Sequence, residues 1–474
     1  MRVSERETPA CMCYSECMAH ILFVTGKLAE PALRRTLAEL APSAGFAYSV
    51  AVLPITVAAL TTTPWVARHL ERHDDVDRVL LPGMCDGDLA VVEEKLGRPV
   101  QRGPKDLRDL PEFFGAAGTS RPALAAFDIA ILAEINHAPR WSWDDLLARA
   151  RKQRRDGADI IDLGCDPAAR WTAIGETVRR LLDDGFRVSV DTFDIQEAAA
   201  AAGAGAELVL SVNHTNRDAA RDWGCEVVAV PDAPGSLDGL DETVNFLQKA
   251  GVPFRLDPVI EPIGFGFAAS LGRYLEVRRR YPAAEMLMGV GNLTELTDVD
   301  SAGVNVMLLG FCQELGIRSV LTTEVINWCR SCVRELDLAR RLVFHAVTER
   351  VLPKRLSAQL VMLRDPKMRE HGERTLRELA EQVADRNYRI FAEGGLLHVI
   401  SRQLYMKGTD PFELFAGMQA KGHIDAAHAF YLGYEMAKAV TALTLGKNYV
   451  QDEALFWGFL TAAETSHLKK KAID

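Results

Sequence analysis

The chain has 474 residues, too many for one ordinary domain, so we expect two or three domains. Its 65 acidic and 55 basic residues give a formal net charge of −10, which argues against a nucleic-acid or anionic-membrane surface because either favours a basic excess. No uncharged apolar run approaches the roughly 18 residues of a transmembrane helix, and the nine scattered cysteines predict reduced thiols in a cytoplasmic protein.

The N-terminal segment, residues 1–17, has no hydrophobic period and no apolar region of a signal peptide. We predict a disordered leader, or an upstream misassigned start.

In residues 18–120, apolar strands at HILFVTG, AYSVAVLP and VDRVLLPG alternate with helical patterns and predict a small open α/β domain with a parallel sheet. The loop TGKLAE after the first strand places Lys27 near a helix start, where it would hold an anion; an ordinary turn is the alternative.

The same alternation continues through residues 121–355 with eight apolar runs, each typical of a parallel strand that is buried on both faces. Eight such strands joined by crossovers predict a (β/α)8 TIM barrel. The runs are DIAILAEI, ADIIDLG, FRVSVDT, AELVLSVN, CEVVAVP, VPFRLDP, AEMLMGVG and IRSVLTTEV.

The pattern changes in residues 356–474, where we predict a C-terminal α+β domain. A charged helix is followed by a hairpin with its turn at Gly394–Gly395 and by a long helix. The segment HAFYLGYEMAKAV of that helix is amphipathic enough to pack on a second copy, so we predict a homodimer. The lone CxxC of Cys329 and Cys332 lacks the second pair of a zinc site, and redox or metal chemistry there is only an alternative to free thiols.

Polar residues follow nearly every predicted barrel strand, at the end where TIM barrels place their chemistry. A ring of inward carboxylates repels itself, and helix capping is the alternative, most obviously for Asp191 in SVDT. Carboxylates and amides together suit a pterin-like or guanine-like ring, and carboxylates also bind Mg²⁺. The strand-end residues are Glu134, Asn136, His137, Asp162, Cys165, Asp166, Asp191, Asn213, His214, Asp232, Asp257, Asn292, Thr322, Thr323 and Glu324.

Four of these strands carry a more specific signal. The segments DGADIIDLGCDP, FRVSVDT, GAELVLSVN and FRLDPVIEPIGFG resemble, in this order, the motifs of the pterin-binding superfamily of dihydropteroate synthases and corrinoid-dependent methyltransferases. The resemblance covers roughly residues 128–330. The whole chain resembles dihydropteroate synthase-like proteins that are linked to tetrahydromethanopterin biosynthesis.

The resemblance implies roles for four residues. Asp191 and Asp257 match the aspartates that bind the pterin after strands three and six. Asn136 matches an asparagine near the diphosphate and Mg²⁺, so it is the predicted metal ligand. Asp162 belongs to the second-strand motif.

Three departures from the synthase pattern are visible. Leu210-Ser211 replaces an Asn-Asp pair, with Asn213 as a substitute two residues on. The GxxN segment with Gly289 and Asn292 replaces a Ser-Arg-Lys segment and looks more like the methyltransferase branch. The first loop reads NHAPRWSW instead of the synthase Thr-Pro-Asp-Ser-Phe run.

The resemblance implies a transferase that joins a 6-hydroxymethyl-dihydropterin diphosphate to an arylamine, with Mg²⁺ as cofactor. The arylamine is 4-aminobenzoate or a ribofuranosyl-aminobenzene phosphate. The alternatives are methyl transfer from a tetrahydropterin to a corrinoid or other acceptor, and a non-catalytic pterin-binding protein. Candidate anion contacts are Lys27, Arg140 and Arg330, and Asp166 is a further candidate substrate contact.

Overall fold

The computed structural model describes residues 19–105, 107–115, 124–354 and 356–464, so the predicted leader over residues 1–17 lies outside the described part. The described residues form two compact units. The first comprises 19–115, 363–456 and 462–464, and the second comprises 124–362 and 457–461. Segments predicted as N-terminal and C-terminal domains therefore share one unit, while the exact domain boundaries stay a prediction. Within the described part, no helix has the length and apolarity required to cross a bilayer.

The N-terminal part of the first unit is an open parallel sheet, as predicted. Its strands are β1 (His20–Gly26), β2 (Ala47–Leu53), β3 (Arg78–Leu81) and β4 (Val100–Arg102), in the order β2-β1-β3-β4. The connecting helices are α1 (Glu30–Ala44), α2 (Thr63–His69), α3 (Ala90–Leu96) and α4 (Leu110–Phe113). Successive side chains of β1 pack on opposite faces of the sheet. Phe23 packs with Leu37 of α1 on one face, and Val24 packs with Val66 of α2 on the other.

The second unit is a closed barrel of eight parallel strands, which confirms the predicted fold. The strands are β5 (Ala130–Ile135), β6 (Ile160–Gly164), β7 (Val188–Asp191), β8 (Leu208–Val212), β9 (Glu226–Ala229), β10 (Phe254–Leu256), β11 (Glu285–Gly289) and β12 (Ser319–Thr322). The helices are α5 (Trp143–Asp156), α6 (Ile174–Asp183), α7 (Ile195–Gly203), α8 (Arg217–Ala220), α9 (Leu240–Ala250), α10 (Phe267–Arg280), α11 (Gly291–Thr294), α12 (Ser301–Leu315) and α13 (Cys332–Glu349). Pairing of β12 with β5 closes the barrel.

The barrel strands bury both of their faces. One set of side chains packs against the helices, for example Ile131 and Val188. The other set fills the barrel interior, with Leu132, Ile160 and Leu287 in one cluster. Residues two apart on a strand share a face. In the first three barrel strands, the polar residues near the strand end therefore lie on the same interior face as the residues two positions before them.

The C-terminal part of the first unit is α+β, as predicted. It contains the helix α14 (Glu373–Gln382), the strands β13 (Arg389–Glu393), β14 (Leu396–Ser401) and β15 (Leu404–Gly408), and the helices α15 (Pro411–Gln419) and α16 (Ala426–Leu445). The three strands form an antiparallel sheet, and the hairpin between β13 and β14 turns at Gly394 and Gly395, which both have positive φ angles.

Candidate functional site at the barrel mouth

Three adjacent strands bring carboxyl groups into the barrel interior. Glu134 on β5 pairs in register with Asp162 on β6, and Gly164 at the end of β6 pairs with Asp191 on β7. Asp162 is completely buried, and its Oδ1 accepts a 2.6 Å hydrogen bond from Ser189. A Cβ atom on Gly164 would collide with Oε1 of Glu134. A larger residue at position 164 would therefore displace the Glu134 carboxyl from this position.

Burial and mutual repulsion keep protons on this cluster. Burial, together with the nearby charges of Asp162 and Asp191, raises the pKa of Glu134 to about 9. Burial likewise raises the pKa of Asp162 to about 8, again with a contribution from Asp191. The pKa of Asp191 is raised by burial and lowered by its hydrogen bond with Ser211. At neutral pH the cluster thus presents hydrogen-bond donors as well as acceptors.

The capping alternative for Asp191 is overturned by the hydrogen bonds at the start of α7. The helix cap is Asp194, whose Oδ1 accepts from the backbone N–H groups of Gln196 at 2.8 Å and Glu197 at 3.0 Å. Oδ1 of Asp191 instead accepts a 2.6 Å hydrogen bond from Ser211, the residue that follows Leu210 at the end of β8. Asp191 is therefore held toward the neighbouring strand and not toward its own helix.

Asp257 occupies the opposite side of the mouth, directly after β10. Its Oδ1 accepts hydrogen bonds from the Tyr274 hydroxyl and, at 2.8 Å, from the backbone N–H of Val259. Burial raises the pKa of Asp257 to about 6, these two hydrogen bonds lower it, and the charge of Asp191 raises it. Asp257 is therefore mainly ionised at neutral pH and is electrostatically linked to Asp191.

Gly289 and Asn292 border the free oxygen of Asp257. A Cβ atom on Gly289 would lie 3.8 Å from Nδ2 of Asn292 and 4.0 Å from Oδ2 of Asp257. The Asn292 amide donates a 3.0 Å hydrogen bond to the carbonyl of Ile260, which leaves its oxygen to face other partners. Asn292 thus lies beside Asp257, and Asp257 is electrostatically linked to Asp191. The roles of all three residues stay a prediction.

The other predicted residues fall into different groups. Asn136 has a buried Oδ1 without a hydrogen-bond partner among the described residues. Asp166 accepts a 2.8 Å hydrogen bond from Nε of Arg140, and this arginine lowers the pKa of Asp166. Oδ1 of Asn213 accepts from the backbone N–H and the hydroxyl of Thr215, at 3.0 and 2.7 Å, so the side chain stabilises a turn.

The two remaining basic candidates are exposed. Arg330 follows β12 in the barrel unit, and its side chain makes no hydrogen bond or ion pair with a described residue. Lys27 belongs to the first unit, in the loop between β1 and α1, and its backbone N–H donates to the carbonyl of Ile55 at 2.9 Å. Of the three basic candidates, Arg330 alone combines a place in the barrel unit with an uncommitted side chain.

Three residues of the site were given no specific role from the sequence. Glu134 stands two residues before Asn136, so strand periodicity carried a signal for it. Ser211 was noted only as a departure from the synthase pattern, yet it donates to Asp191. Tyr274 lies on α10, 17 residues after Asp257, and no local pattern predicts its hydrogen bond to that carboxylate.

Two features bear on metal binding. Among the described residues, no group of three or more His, Cys, Asp or Glu side chains is arranged to hold a metal ion. Cys329 and Cys332 are buried free thiols, and their mutual hydrogen bond lowers the pKa of Cys329 to about 7. The orphaned oxygen of Asn136 suits an oxygen-preferring cation, because Mg²⁺ needs only one or two protein oxygens when phosphate groups supply the rest.

Parts of the chain are similar to known protein families. Residues 136–233 match the family described as "Pterin binding enzyme", and residues 19–105 match a family of unknown function. An uncharacterised protein of Methanocaldococcus jannaschii is 27% identical over 526 residues, with 92% of this chain and 99% of that protein covered.

Solved dihydropteroate synthases are also similar to part of this chain. The Yersinia pestis enzyme with a pterine-sulfa conjugate is 19% identical, with 47% of this chain and 94% of that chain covered and a TM-score of 0.37. The Xanthomonas albilineans enzyme in complex with 7,8-dihydropteroate is 19% identical, with coverages of 48% and 94% and a TM-score of 0.35. Scores of this size transfer no residue role. Residues 136–233 therefore resemble pterin-binding enzymes, and they lie within a closed barrel of eight parallel strands.

Proposed function

We propose that this protein is a transferase that condenses a 6-hydroxymethyl-dihydropterin diphosphate with an arylamine. The observation that supports the proposal is that Asn292 lies beside Asp257, whose carboxyl is electrostatically linked to Asp191 across the barrel mouth. A pterin ring has several N–H donors and a carbonyl acceptor along one edge. Ionised Asp257 accepts from that edge, and the protonated carboxyls of Glu134 and Asp162 donate to ring nitrogens.

In the proposed reaction, the C–O bond between the pterin methylene and the diphosphate breaks, and the electron pair leaves with the diphosphate. The methylene carbon becomes electron-poor, and the negative charge of Asp257 stabilises the positive charge that spreads over the ring. The neutral arylamine then forms the C–N bond and releases one proton to solvent or to the departing diphosphate. No strong general base is required, which suits a site whose carboxyls are largely protonated.

The diphosphate requires positive charge, and the mouth itself is acidic. Asn136 would hold Mg²⁺ through its unpartnered oxygen, and the cation would neutralise the diphosphate as it leaves. Arg330 is the candidate protein cation, since Arg140 is engaged with Asp166. The resemblance to proteins linked to tetrahydromethanopterin biosynthesis favours a ribofuranosyl-aminobenzene phosphate as acceptor. We further propose a cytoplasmic homodimer that pairs through α16.

Arylamine-dependent release of diphosphate tests the proposal. The full chain would be incubated with Mg²⁺, the pterin diphosphate, and either 4-aminobenzoate or ribofuranosyl-aminobenzene phosphate. We expect diphosphate release that requires one acceptor and falls strongly in Asp257→Asn. Absence of release with both acceptors, in a protein that binds the pterin, would reject the synthase reaction.

A second candidate is methyl transfer from a tetrahydropterin. The specific observation is the GxxN segment, because Asn292 rather than a lysine stands beside Asp257. In that chemistry the amide oxygen of Asn292 would stabilise a protonated ring nitrogen. A methyl-dependent change in the absorption of an added corrinoid would identify this activity. Pterin binding with neither reaction would identify a non-catalytic pterin-binding protein.

A further inference from the structure

The first unit contains a cavity that the proposed reaction does not use. Its volume is about 250 Å³, and it lies where β1 and β3 end, with walls from Phe23, Thr25, Leu80, Leu81 and Leu107. Apolar pockets of about 150 Å³ already accept one benzene-sized molecule. The cavity is therefore large enough for a ligand with a single ring.

The position of the cavity follows from the strand order. β1 pairs in parallel with β2 on one side and with β3 on the other, so the connections after β1 and β2 run in opposite directions. Ligands of open α/β sheets bind outside the carboxyl ends of the strands at this reversal of order. The cavity occupies that position, on a sheet that belongs to a family of unknown function.

Close backbone contacts between loops hold the cavity open. A Cβ atom on Gly26 would lie 2.8 Å from the carbonyl oxygen of Ile55. A Cβ atom on Gly83 would collide with the backbone of Pro104. The loop after β1 is thus locked to the loop after β2, and the loop after β3 is locked to the segment after β4. Such preformed walls reduce the ordering cost of binding.

The backbone N–H groups of Lys27 and Leu28, in the TGKLAE loop, are not free to bind a phosphate. The backbone N–H groups of Lys27 and Leu28 donate to the carbonyls of Ile55 and Thr56, at 2.9 and 3.0 Å. These amides are consumed and cannot bind an anion. The loop instead presents Thr25, Leu28 and Ala29 to the cavity, and most of the other lining residues are apolar.

One cation stands at the edge of this apolar space. Lys105 lines the cavity and also lines an adjoining cavity of about 730 Å³ in the same unit, and Met84 lines both as well. Its side chain is exposed and makes no hydrogen bond or ion pair with a described residue. Thr25 is buried, and among the described residues its hydroxyl has only a long 3.4 Å contact, to the carbonyl of Gly26. Both polar groups are available to a ligand.

We propose that this cavity is a second small-molecule site, separate from the barrel, for a compact apolar anion. The ring or branched chain of the ligand fills the space beneath Phe23 and Leu80, and its carboxylate pairs with Lys105 at the entrance. The hydroxyl of Thr25 donates to the same carboxylate or to a ring substituent. The apolar walls of the cavity favour an apolar ring or branched chain, and the ammonium group of Lys105 favours a negatively charged ligand.

Ligand-observed NMR and calorimetry on the full chain with phenylacetate test the proposal, with 2-phenylethylamine as the probe of opposite charge. We expect phenylacetate to bind with a dissociation constant of about a millimolar or lower, and 2-phenylethylamine to bind at least tenfold more weakly. Lys105→Met should weaken phenylacetate about tenfold, as loss of a charged partner does. The matched variant Lys249→Met, which changes an exposed lysine of the barrel unit, should have no effect.

A second variant tests the location. Ala58 lines the cavity, and Ala58→Phe should fill it and abolish phenylacetate binding. Asp257→Asn in the barrel should leave that binding unchanged. If Ala58→Phe does not fold, the Lys105→Met result decides. The proposal is overturned if wild-type protein does not bind 10 mM phenylacetate, if Lys105→Met binds it as wild type does, or if Asp257→Asn loses it.

Discussion

The two units build ligand-sized spaces at the same place, the carboxyl ends of parallel strands, and fill them with opposite chemistry. Strands of the barrel carry carboxyls at or near their ends, such as Asp162 and Asp191, whereas β1 and β3 of the first unit end at Gly26 and Leu81. The parallel backbone is the same in both. The residues at the strand ends and in the loops that follow them decide whether the space is acidic or apolar.

The comparison also teaches what closure of a sheet does. In the barrel, strands that are far apart in sequence face one another, so the charge of Asp191 reaches both Glu134 and Asp257 and raises their pKa values. In the open sheet, the strand ends lie side by side and face loops. Its cavity is therefore shaped by close backbone contacts at glycine and not by electrostatic repulsion.

Replacing Asp257 tests the acidic half of the comparison and should have the largest effect. The carboxylate of Asp257 only accepts hydrogen bonds, whereas the amide in Asp257→Asn has one accepting oxygen and one donating NH2 group. One buried N–H group of the pterin would therefore lose its hydrogen-bond acceptor. We expect pterin binding to weaken by about 2 to 4 kcal/mol, measured by calorimetry at pH 7.5. The fold should survive because the volume hardly changes.

The pH dependence gives the same test without a mutation. Because the pKa of Asp257 is raised to about 6, wild-type affinity should fall as the pH drops through 6, where the acceptor becomes protonated. Asp232→Asn is the matched control, since that carboxylate ends a neighbouring strand but is paired with His214 at 2.9 Å. Unchanged pterin affinity in folded Asp257→Asn would remove Asp257 from the site.

Replacing Asn292 separates the two reactions. In a synthase, the neutral amide contributes about 1 kcal/mol net, so Asn292→Ala should lower turnover by less than about tenfold. In a methyltransferase, the side chain stabilises a protonated nitrogen in the transition state, and its loss should approach a hundredfold. Steady-state kinetics with each substrate pair measures the difference. An unchanged rate in both assays would place Asn292 outside the reaction.

Much of the fold could be predicted because its signals are local. The eight barrel strands are continuous apolar runs, and the turn of the β13–β14 hairpin is two adjacent glycines. The strand β4 was not predicted, since Val100–Arg102 has only three residues and no apolar run. Nor does any local pattern indicate that residues 363–456 join the N-terminal segment in one compact unit, because that depends on contacts far apart in sequence.

The site was predictable where polar residues interrupt apolar strands. Asp191 and Asp257 stand out for this reason, and GxxN drew attention to Asn292. Sequence alone could not tell that Asn213 is used by a turn, or that Arg140 is engaged with Asp166, because side-chain partners depend on loop geometry. The same limit hid Tyr274, whose hydroxyl reaches Asp257 from a helix.

Replacing Glu134 tests whether its carboxyl is protonated in the folded barrel. The folded pKa of Glu134, about 9, lies above its ordinary value of 4.5, so folding takes up a proton and loses stability as the pH rises between these values. Glu134→Gln mimics the protonated form and removes this loss. We expect the variant to gain about 4 kcal/mol over wild type between pH 5 and pH 8, since each pH unit in this window contributes about 1.4 kcal/mol.

Urea denaturation followed at several pH values measures this gain, with Glu314→Gln as the matched control at an exposed position of the barrel unit. A parallel pH dependence in Glu134→Gln and wild type would mean that Glu134 is ionised in the folded barrel. The region at the mouth would then be a site for cations, and the contrast with the apolar cavity would be even larger than we propose.

The smallest expected effect concerns the two arginines of the barrel unit. Arg330 has an uncommitted side chain, so Arg330→Gln should weaken binding of the pterin diphosphate about tenfold, the size of one charged hydrogen bond. Arg140 already pairs with Asp166, and an exposed pair contributes little, so Arg140→Gln should change that affinity by less than about threefold. Neither variant should alter the affinity for a pterin that lacks the diphosphate. If Arg140→Gln has the larger effect, the diphosphate displaces Asp166 from its arginine, and the anion site lies beside the loop after β5 instead of the loop after β12.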